Sequence, residues 1–361
     1  MKEVDIAIIG GGPAGLMAAE AAASSGANVV LLERDGHLGG QLVKQTHKFF
    51  GSEKQYASTR GIYIANILED KLKEMPDKVE IWKGATAIGL YEDDVLAVEV
   101  GKEIKKLKAK RFIVATGASE KSLVFVNNEL PGIYGAGAVQ TLMNVNGVRP
   151  GQRVLMVGAG NIGLIVSYQL LQAGVEVAAI IDAAPTIGGY LVHASKIRRA
   201  GVPILTSHTV TRAYGKESVE GATLVALDEQ WQPLPGTEKE VAVDVICISV
   251  GLSPLAELLW HAGCEMHYIP QLGGHVPIRD KNLKTNVDAV YIAGDITGIE
   301  EASSAMVEGR LAGLTASASI GFKHDDYEAE VLDCNEQLRS LRAGPVGEHI
   351  NQGMALVTSG E

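Results

Sequence analysis

The sequence predicts an α/β chain in which one βαβ device occurs twice. The stretch IAIIGGGPAGLMAAEAAASSGANVVLLER stands near the start, and VLMVGAGNIGLIVSYQLLQAGVEVAAIID echoes it in the middle. Each passes from an apolar run of strand length, through spaced glycines, into an Ala- or Leu-rich helical stretch and on to a second apolar run. At 361 residues, with 46% hydrophobic residues and 42 glycines, the chain has room for two or three domains with a sizeable core and frequent tight turns.

The first element, DIAIIGGGPAG, reads as a buried parallel strand over Asp5 to Ile9 that enters Gly10, Gly12 and Gly15 in the GxGxxG spacing. The first glycine permits the tight turn, the second removes the side chain that would block a pyrophosphate, and the third lets the helix pack close to the strand. The following LMAAEAAASSG is a good helix former. Its N-terminus presents unpaired N–H groups and a positive dipole end to phosphate. The next strand, NVVLLER, brings Glu33 to the point where a carboxylate accepts hydrogen bonds from ribose hydroxyls.

The second device repeats the plan: strand Val154 to Val157, then Gly158, Gly160 and Gly163, then the helix LIVSYQLLQAG. From the third glycine to the glycine that ends the helix the spacing matches in both copies, Gly15 to Gly26 and Gly163 to Gly174. Counting on, Ile181 takes the place of Glu33 and the acid Asp182 comes one residue later. The stretch IIDAAPTIGG has no basic cluster to receive a 2′-phosphate, which favours NAD over NADP. An adenine nucleotide bound without redox purpose stays open as the alternative.

Bulk properties exclude several classes. The net charge of −11 and the lack of basic runs interleaved with aromatics argue against nucleic acid or an anionic membrane as partner. The basic run from Lys102 to Arg111 reads as the solvated edge of a hairpin. Cys247, Cys264 and Cys334 lie far apart with no CxxC, so neither a disulfide framework nor a metal site is expected. Cys247 and Cys264 read as core thiols, while Cys334 lies in the tail, where contact with a partner is open to it. With no signal-type or membrane-spanning run, a cytoplasmic location is expected.

Three further motifs carry a resemblance. KTNVDAVYIAGDITG, ending in Gly294 and Asp295, is similar to the second FAD fingerprint of the flavoproteins with two dinucleotide-binding domains, the glutathione reductase and thioredoxin reductase superfamily. RFIVATGAS resembles that superfamily's ATG motif, where the chain leaves the FAD domain, and DVICISVGLSP resembles the exit from the nucleotide domain. The resemblance implies two Rossmann-like, three-layer ββα domains, the second inserted in the first. Residues 1–120 and 254–325 would bind FAD, 121–253 would bind NAD(H), and 326–361 would form a C-terminal tail whose polar helix either docks a partner or folds back on its own domain.

Carried over residue by residue, the resemblance gives FAD contacts at Gly10, Gly12, Pro13, Ala14, Gly15, Glu33, Arg34, Gly40, Gln41, Ala115, Thr116, Gly117, Gly294, Asp295, Glu301 and Ala302. It gives NAD contacts at Gly158, Gly160, Asn161, Ile162, Gly163, Asp182 and Gly251. Glu301 and Ala302 would begin a helix aimed at the flavin pyrimidine end. The segment Gly36 to Ser52 is similar to one that wraps the isoalloxazine, which makes His47 and Lys48 candidates for tuning the ring.

Neither place where disulfide reductases of this superfamily carry their redox cysteines holds one here, so dithiol exchange is not expected. No Arg clamp for an amino acid carboxylate is identifiable either. The stretch from Val175 to Val210 and the tail segment Leu341 to Met354 are similar to the nucleotide-binding subunits of heteromeric amine and amino acid dehydrogenases. Those are sarcosine oxidase alpha, hydrogen cyanide synthase B, opine oxidase A and dye-linked proline dehydrogenase alpha. The resemblance implies an electron-transfer subunit that moves hydride between nicotinamide and flavin. It would be partnered by a catalytic flavoprotein, with homo-oligomerisation and an iron-sulfur subunit left open. The rivals are a stand-alone NADH:acceptor reductase using ferredoxin or a quinone-like acceptor, and a structural subunit holding ATP or ADP at the second site.

Overall fold

A computed structural model describes residues 1–49 and 52–359. Phe50 and Gly51, within the segment expected to wrap the flavin, and Gly360 and Glu361 of the tail lie outside the described residues. In chain order the first elements are β1 (Lys2–Ile9), α1 (Pro13–Ser24), β2 (Val29–Glu33), α2 (Gly61–Lys73), β3 (Val79–Lys83), β4 (Ala85–Leu90), β5 (Val95–Val100), β6 (Glu103–Val114) and β7 (Ala118–Glu120). The middle of the chain forms β8 (Ile133–Gly135), α3 (Ala136–Gln140), β9 (Arg153–Val157), α4 (Asn161–Gln172), β10 (Glu176–Ile181), α5 (Leu191–Arg199), β11 (Ile204–Leu205), β12 (His208–Tyr214), β13 (Gly221–Ala226), β14 (Lys239–Ala242) and β15 (Val245–Ile248). The last part forms β16 (Leu252–Pro254), α6 (Glu257–His261), β17 (Met266–Ile269), β18 (Gly274–Pro277), β19 (Val290–Ile292), α7 (Ala302–Ala318), α8 (Tyr327–Leu341) and α9 (Pro345–Ala355). Two compact units result, residues 1–119 with 252–361, and residues 120–251.

The first unit is built on a sheet in the order β3-β2-β1-β6-β5-β4, with β19 pairing β6. Its β1, β2, β3 and β19 pairings are parallel, while β4, β5 and the first half of β6 form an antiparallel meander. Strand β6 serves both parts because it is long: Glu103 to Lys108 pair with β5, and Phe112 to Val114 pair with β19. The exposed lysines of the basic run lie on this strand, as the sequence predicts, and Lys105 sits over the Trp82 ring. Helices α1 and α7 cross closely because small residues line the contact. A side chain at Gly309 would bring its Cβ within 2.0 Å of Ala14 O, and one at Gly313 within 2.5 Å of Ala18 O.

The second unit has a five-stranded parallel sheet, β11-β10-β9-β15-β8, and a three-stranded antiparallel sheet, β12-β13-β14. Period-two alternation divides the parallel strands between two cores. Val154, Met156, Ile180 and Cys247 pack with Leu164, Leu170 and Ile197 of the helices. Leu155, Val157, Ile181 and Ile248 pack with Val210, Ala222 and Leu224 of the antiparallel sheet. Helix layer, parallel sheet and antiparallel sheet are therefore stacked in three layers.

The tail folds back on its own unit, one of the two readings its sequence leaves. It forms two helices, α8 and α9, and both pack on their own unit. Cys334 and Leu338 of α8 are buried in the main core, and Arg310 of α7 pairs with Glu330 at 2.7 Å. Met354 and Val357 cluster with Ile269, Leu272 and Val276. The apolar residues of the tail are few, but all of that cluster is satisfied within the unit. Cys334 is fully buried and its thiol is pushed up to about 12 by burial, so it is a core thiol and not a partner contact.

Candidate functional site: two glycine loops

In the first unit the expected residues converge on the loop between β1 and α1. Gly10 adopts φ 110°, and a Cβ there would stand 2.2 Å from Ala115 O. A Cβ at Gly15 would stand 1.8 Å from Gly10 O, so helix and loop meet at a distance only glycine permits. Gly12 is different: its nearest neighbour in that direction is the Gly40 Cα at 3.9 Å, which leaves space in front of the helix. Gly294 approaches the same helix from the other side, against Ala14. Thr116 Oγ1 donates to Leu255 O at 2.9 Å, joining the end of β6 to the returning chain. Gly117, next in line, has φ 73°.

Glu33 is buried and accepts two backbone hydrogen bonds, from Gly11 N–H and Asp35 N–H, both at 2.8 Å. These hold its carboxylate at the mouth of the loop. Arg34 beside it is exposed. Asp295 lies in a single turn spanning Gly294–Ile296. Loss of hydration pushes its carboxyl up to about 7, against the Glu300 N–H that donates to it, and the charges of Glu308 and Glu300 add to the rise. Glu301 caps α7 from an extended conformation and Ala302 is the first residue of that helix. Gln41 and Lys48 are exposed, and Lys48 bridges to Arg60 through the backbone. His47 is half-buried and stacks on Phe49 with ring centroids 5.9 Å apart.

The second unit rebuilds the same geometry. Gly158 has φ 115° and stands against Ser249 O, where a Cβ would come within 2.1 Å. A Cβ at Gly163 would come within 2.0 Å of Gly158 O, while Gly160 faces open space. Asn161 opens α4, its Oδ1 accepting from Tyr190 N–H at 2.8 Å, and Ile162 is exposed. Gly251, at φ 113°, accepts from Lys121 N–H at 3.0 Å.

The acid corrects the count along the sequence. Asp182 accepts from Ala159 N–H at 2.6 Å and from Ala184 N–H at 2.8 Å, the same two contacts that Glu33 makes. Gly10 N–H donates to Leu32 O and Gly158 N–H to Ile181 O, so Ile181 corresponds to Leu32 and Asp182 to Glu33. The extra residue is absorbed in β10, where the register with β9 jumps between Val177 and Ala179. A β-bulge inserts one residue without moving the end of the strand. The one-residue offset therefore carries no functional meaning.

Both loops fit a dinucleotide. Each ends in a twelve-residue helix whose first turn has no side-chain cap, behind a glycine with room in front of it. Unpaired N–H groups at such a terminus suit a pyrophosphate. Among the described residues no group of His, Cys, Asp and Glu fit for a metal is present, and no helix is long and apolar enough to cross a membrane. Cys247 and Cys264 are buried, with burial raising both thiols.

Sequence reasoning missed Glu308 and Arg342, which brace the Asp295 turn. Glu308 Oε2 accepts from Gly294 N–H at 2.9 Å and from Thr297 Oγ1–H at 2.8 Å. The available signal was a lone glutamate inside SSAMVEGRLAGLTA, a helix buried on nearly all sides.

Comparison with known proteins agrees with this architecture. The chain belongs to the pyridine nucleotide-disulphide oxidoreductase family, whose profile matches residues 4–309. It is an FAD-dependent oxidoreductase of a family that binds FAD and NAD(P)H. It is similar to opine oxidase A, one subunit of that enzyme in Agrobacterium tumefaciens (strain Ach5), at 26% identity over 88% of this chain and 66% of that protein. It is also similar to the sarcosine oxidase alpha subunit of Corynebacterium sp. (strain U-96), at 30% identity over 88% of this chain and 33% of that one. The chain thus spans just under two-thirds of the first and a third of the second. Among solved structures, T. acidophilum thioredoxin reductase shares the fold, with a TM-score of 0.72 and 22% identity over 89% of this chain and 99% of that one.

Proposed function

We propose that this chain is the electron-transfer subunit of a heteromeric amine or amino acid dehydrogenase, with FAD on the first glycine loop and NAD(H) on the second. One observation carries the reading: the chain has two matched dinucleotide loops but no accessible thiol, since all three cysteines are buried. Electrons leaving the flavin then have no dithiol to run through and need a partner. The similarity to opine oxidase A and sarcosine oxidase alpha, each one subunit of a larger enzyme by name, supports a partner of that kind.

FAD and NAD(H), when bound, would supply hydride transfer between nicotinamide and flavin. The chain's own residues bind and orient. The amides at the start of α1 and α4 take the two pyrophosphates, and Glu33 and Asp182, each fixed by two backbone N–H donors, accept from ribose hydroxyls. Asp295 would hold the ribityl hydroxyls, and the N-terminus of α7 would offer its dipole to negative charge on the flavin ring. Ala183, Ala184 and Pro185 follow Asp182 with no cation for a 2′-phosphate, which supports NAD over NADP. His47 and Lys48 fit a weaker role, because Lys48 points its charge to solvent.

The test is purification from the native source under mild conditions. A stoichiometric complex with a second flavoprotein, in which an amine substrate bleaches the flavin of this chain, is the expected result. A chain that isolates alone and turns over NADH with ferredoxin or a quinone would favour a free reductase instead.

A further inference from the structure

The tail reaches the candidate FAD site through one side chain. Arg342, just past α8, donates from Nε to both Glu300 oxygens at 3.0 Å and from Nη2 to Glu300 Oε1 at 2.6 Å. The same Nη2 lies 2.5 Å from Glu308 Oε1. Glu308 is 2% exposed and holds the Asp295 turn with its other oxygen, through Gly294 N–H and Thr297 Oγ1–H. A continuous path therefore runs from the tail guanidinium, through one buried carboxylate, to the backbone on either side of Asp295.

Burial alone would lower the Arg342 guanidinium, but Glu308 and Glu300 hold it above the ordinary arginine value. A buried carboxylate needs charged partners, and Glu308 has two guanidiniums for this, Arg342 by hydrogen bond and the buried Arg279 by charge. Only Arg342 donates directly to Oε1, and without it the carboxylate loses the donor that orients its other oxygen toward Gly294 N–H and Thr297 Oγ1–H. Helix α8 is itself pinned at further points: Arg310 to Glu330, Lys54 to Asp333, and Gln55 to Gln337. The arginine is thus delivered by an element fixed to the rest of the unit.

We propose that Arg342 is a positioning residue for the flavin: its hydrogen bond orients Glu308, Glu308 fixes the Gly294–Thr297 turn, and the turn presents Asp295 to the ribityl chain of FAD. The inference rests on the FAD assignment above for its last link only.

The test uses full-length apoprotein and four variants, Arg342→Met, Arg342→Lys, Glu308→Gln and, as a control on another tail contact, Lys54→Met. Amide exchange of the peptide covering 290–298 is measured without flavin, and FAD affinity by fluorescence titration. Arg342→Met is expected to speed exchange in that peptide and weaken FAD binding by about tenfold or more each. Arg342→Lys should fall between it and wild type, and Lys54→Met should change neither. Glu308→Gln keeps an acceptor but loses the charge, so adding Arg342→Met to it should have little further effect. Unchanged exchange in folded Arg342→Met, or in Arg342→Lys and Glu308→Gln if the first does not fold, would overturn the proposal. So would equal losses in Lys54→Met. If the wild-type protein takes up no FAD, the functional assignment fails, and the exchange result still judges whether Arg342 holds the turn.

Discussion

The two glycine loops are the same device set in different surroundings. In each, the third glycine lies against the first glycine's carbonyl, the second has room before it, and an acid at the end of the next strand is fixed by two backbone amides. The surroundings differ. Gly40 lies against the Gly12 backbone of the first loop and Gly189 against the Gly160 and Asn161 backbone of the second, while the first loop is flanked in addition by Gly294, against Ala14, and by the Asp295 turn. The added Asp295 turn beside the first loop is where the sequence resembles an FAD fingerprint, and the proposed assignment of FAD to the first loop and the nicotinamide nucleotide to the second rests on that resemblance.

The largest way to break the comparison is to fill its shared contact. Gly15→Val and Gly163→Val each drive a side chain into a backbone carbonyl that no rotamer change can move, and both should lose at least about 3 kcal/mol of stability in urea melts. If either is tolerated, the two loops do not pack as the geometry requires.

A smaller effect tests the acids. Asp182→Ala leaves Ala159 N–H and Ala184 N–H without their acceptor and removes the ribose contact, so KM for NADH should rise roughly 10- to 100-fold, at about 1.4 kcal/mol per tenfold. FAD content should stay the same. An unchanged KM would mean that Asp182, despite matching Glu33 bond for bond, does not face a nucleotide.

The smallest effect separates binding from stability at the first loop. Because the folded apoprotein holds the Asp295 proton up to about pH 7, while an unfolded carboxyl releases it near pH 4, stability should fall as pH rises through that window. The penalty is fully present above pH 7. Asp295→Asn should therefore be more stable than wild-type apoprotein at pH 8, by about 1–2 kcal/mol after allowance for solvent, and equal to it near pH 4. The same variant should bind FAD more weakly. A variant less stable at both pH values would remove burial as the cause of the shift.

Both loops were legible in the sequence because glycine spacing reports a local steric need, and the strand-helix-strand context around Gly10 and Gly158 leaves little else for them to do. The correspondence of Asp182 with Glu33 was hidden by the bulge in β10, since counting residues assumes a regular strand. Arg342 was hidden for another reason: it meets Glu308 across 34 positions of chain, and no periodicity links a polar tail to a turn that precedes it.

The most direct test of the central claim is anaerobic stopped-flow absorbance of the purified, flavin-loaded chain mixed with NADH or NADPH, beside the variant Gly160→Val. The variant fills only open space, so it should fold and keep its flavin. Fast bleaching of the wild-type flavin by NADH, slower or absent bleaching by NADPH, and loss of the NADH reaction in Gly160→Val are the predicted results. A flavin that neither nucleotide reduces, or one that NADH bleaches equally fast in the variant, would contradict the assignment of the second loop.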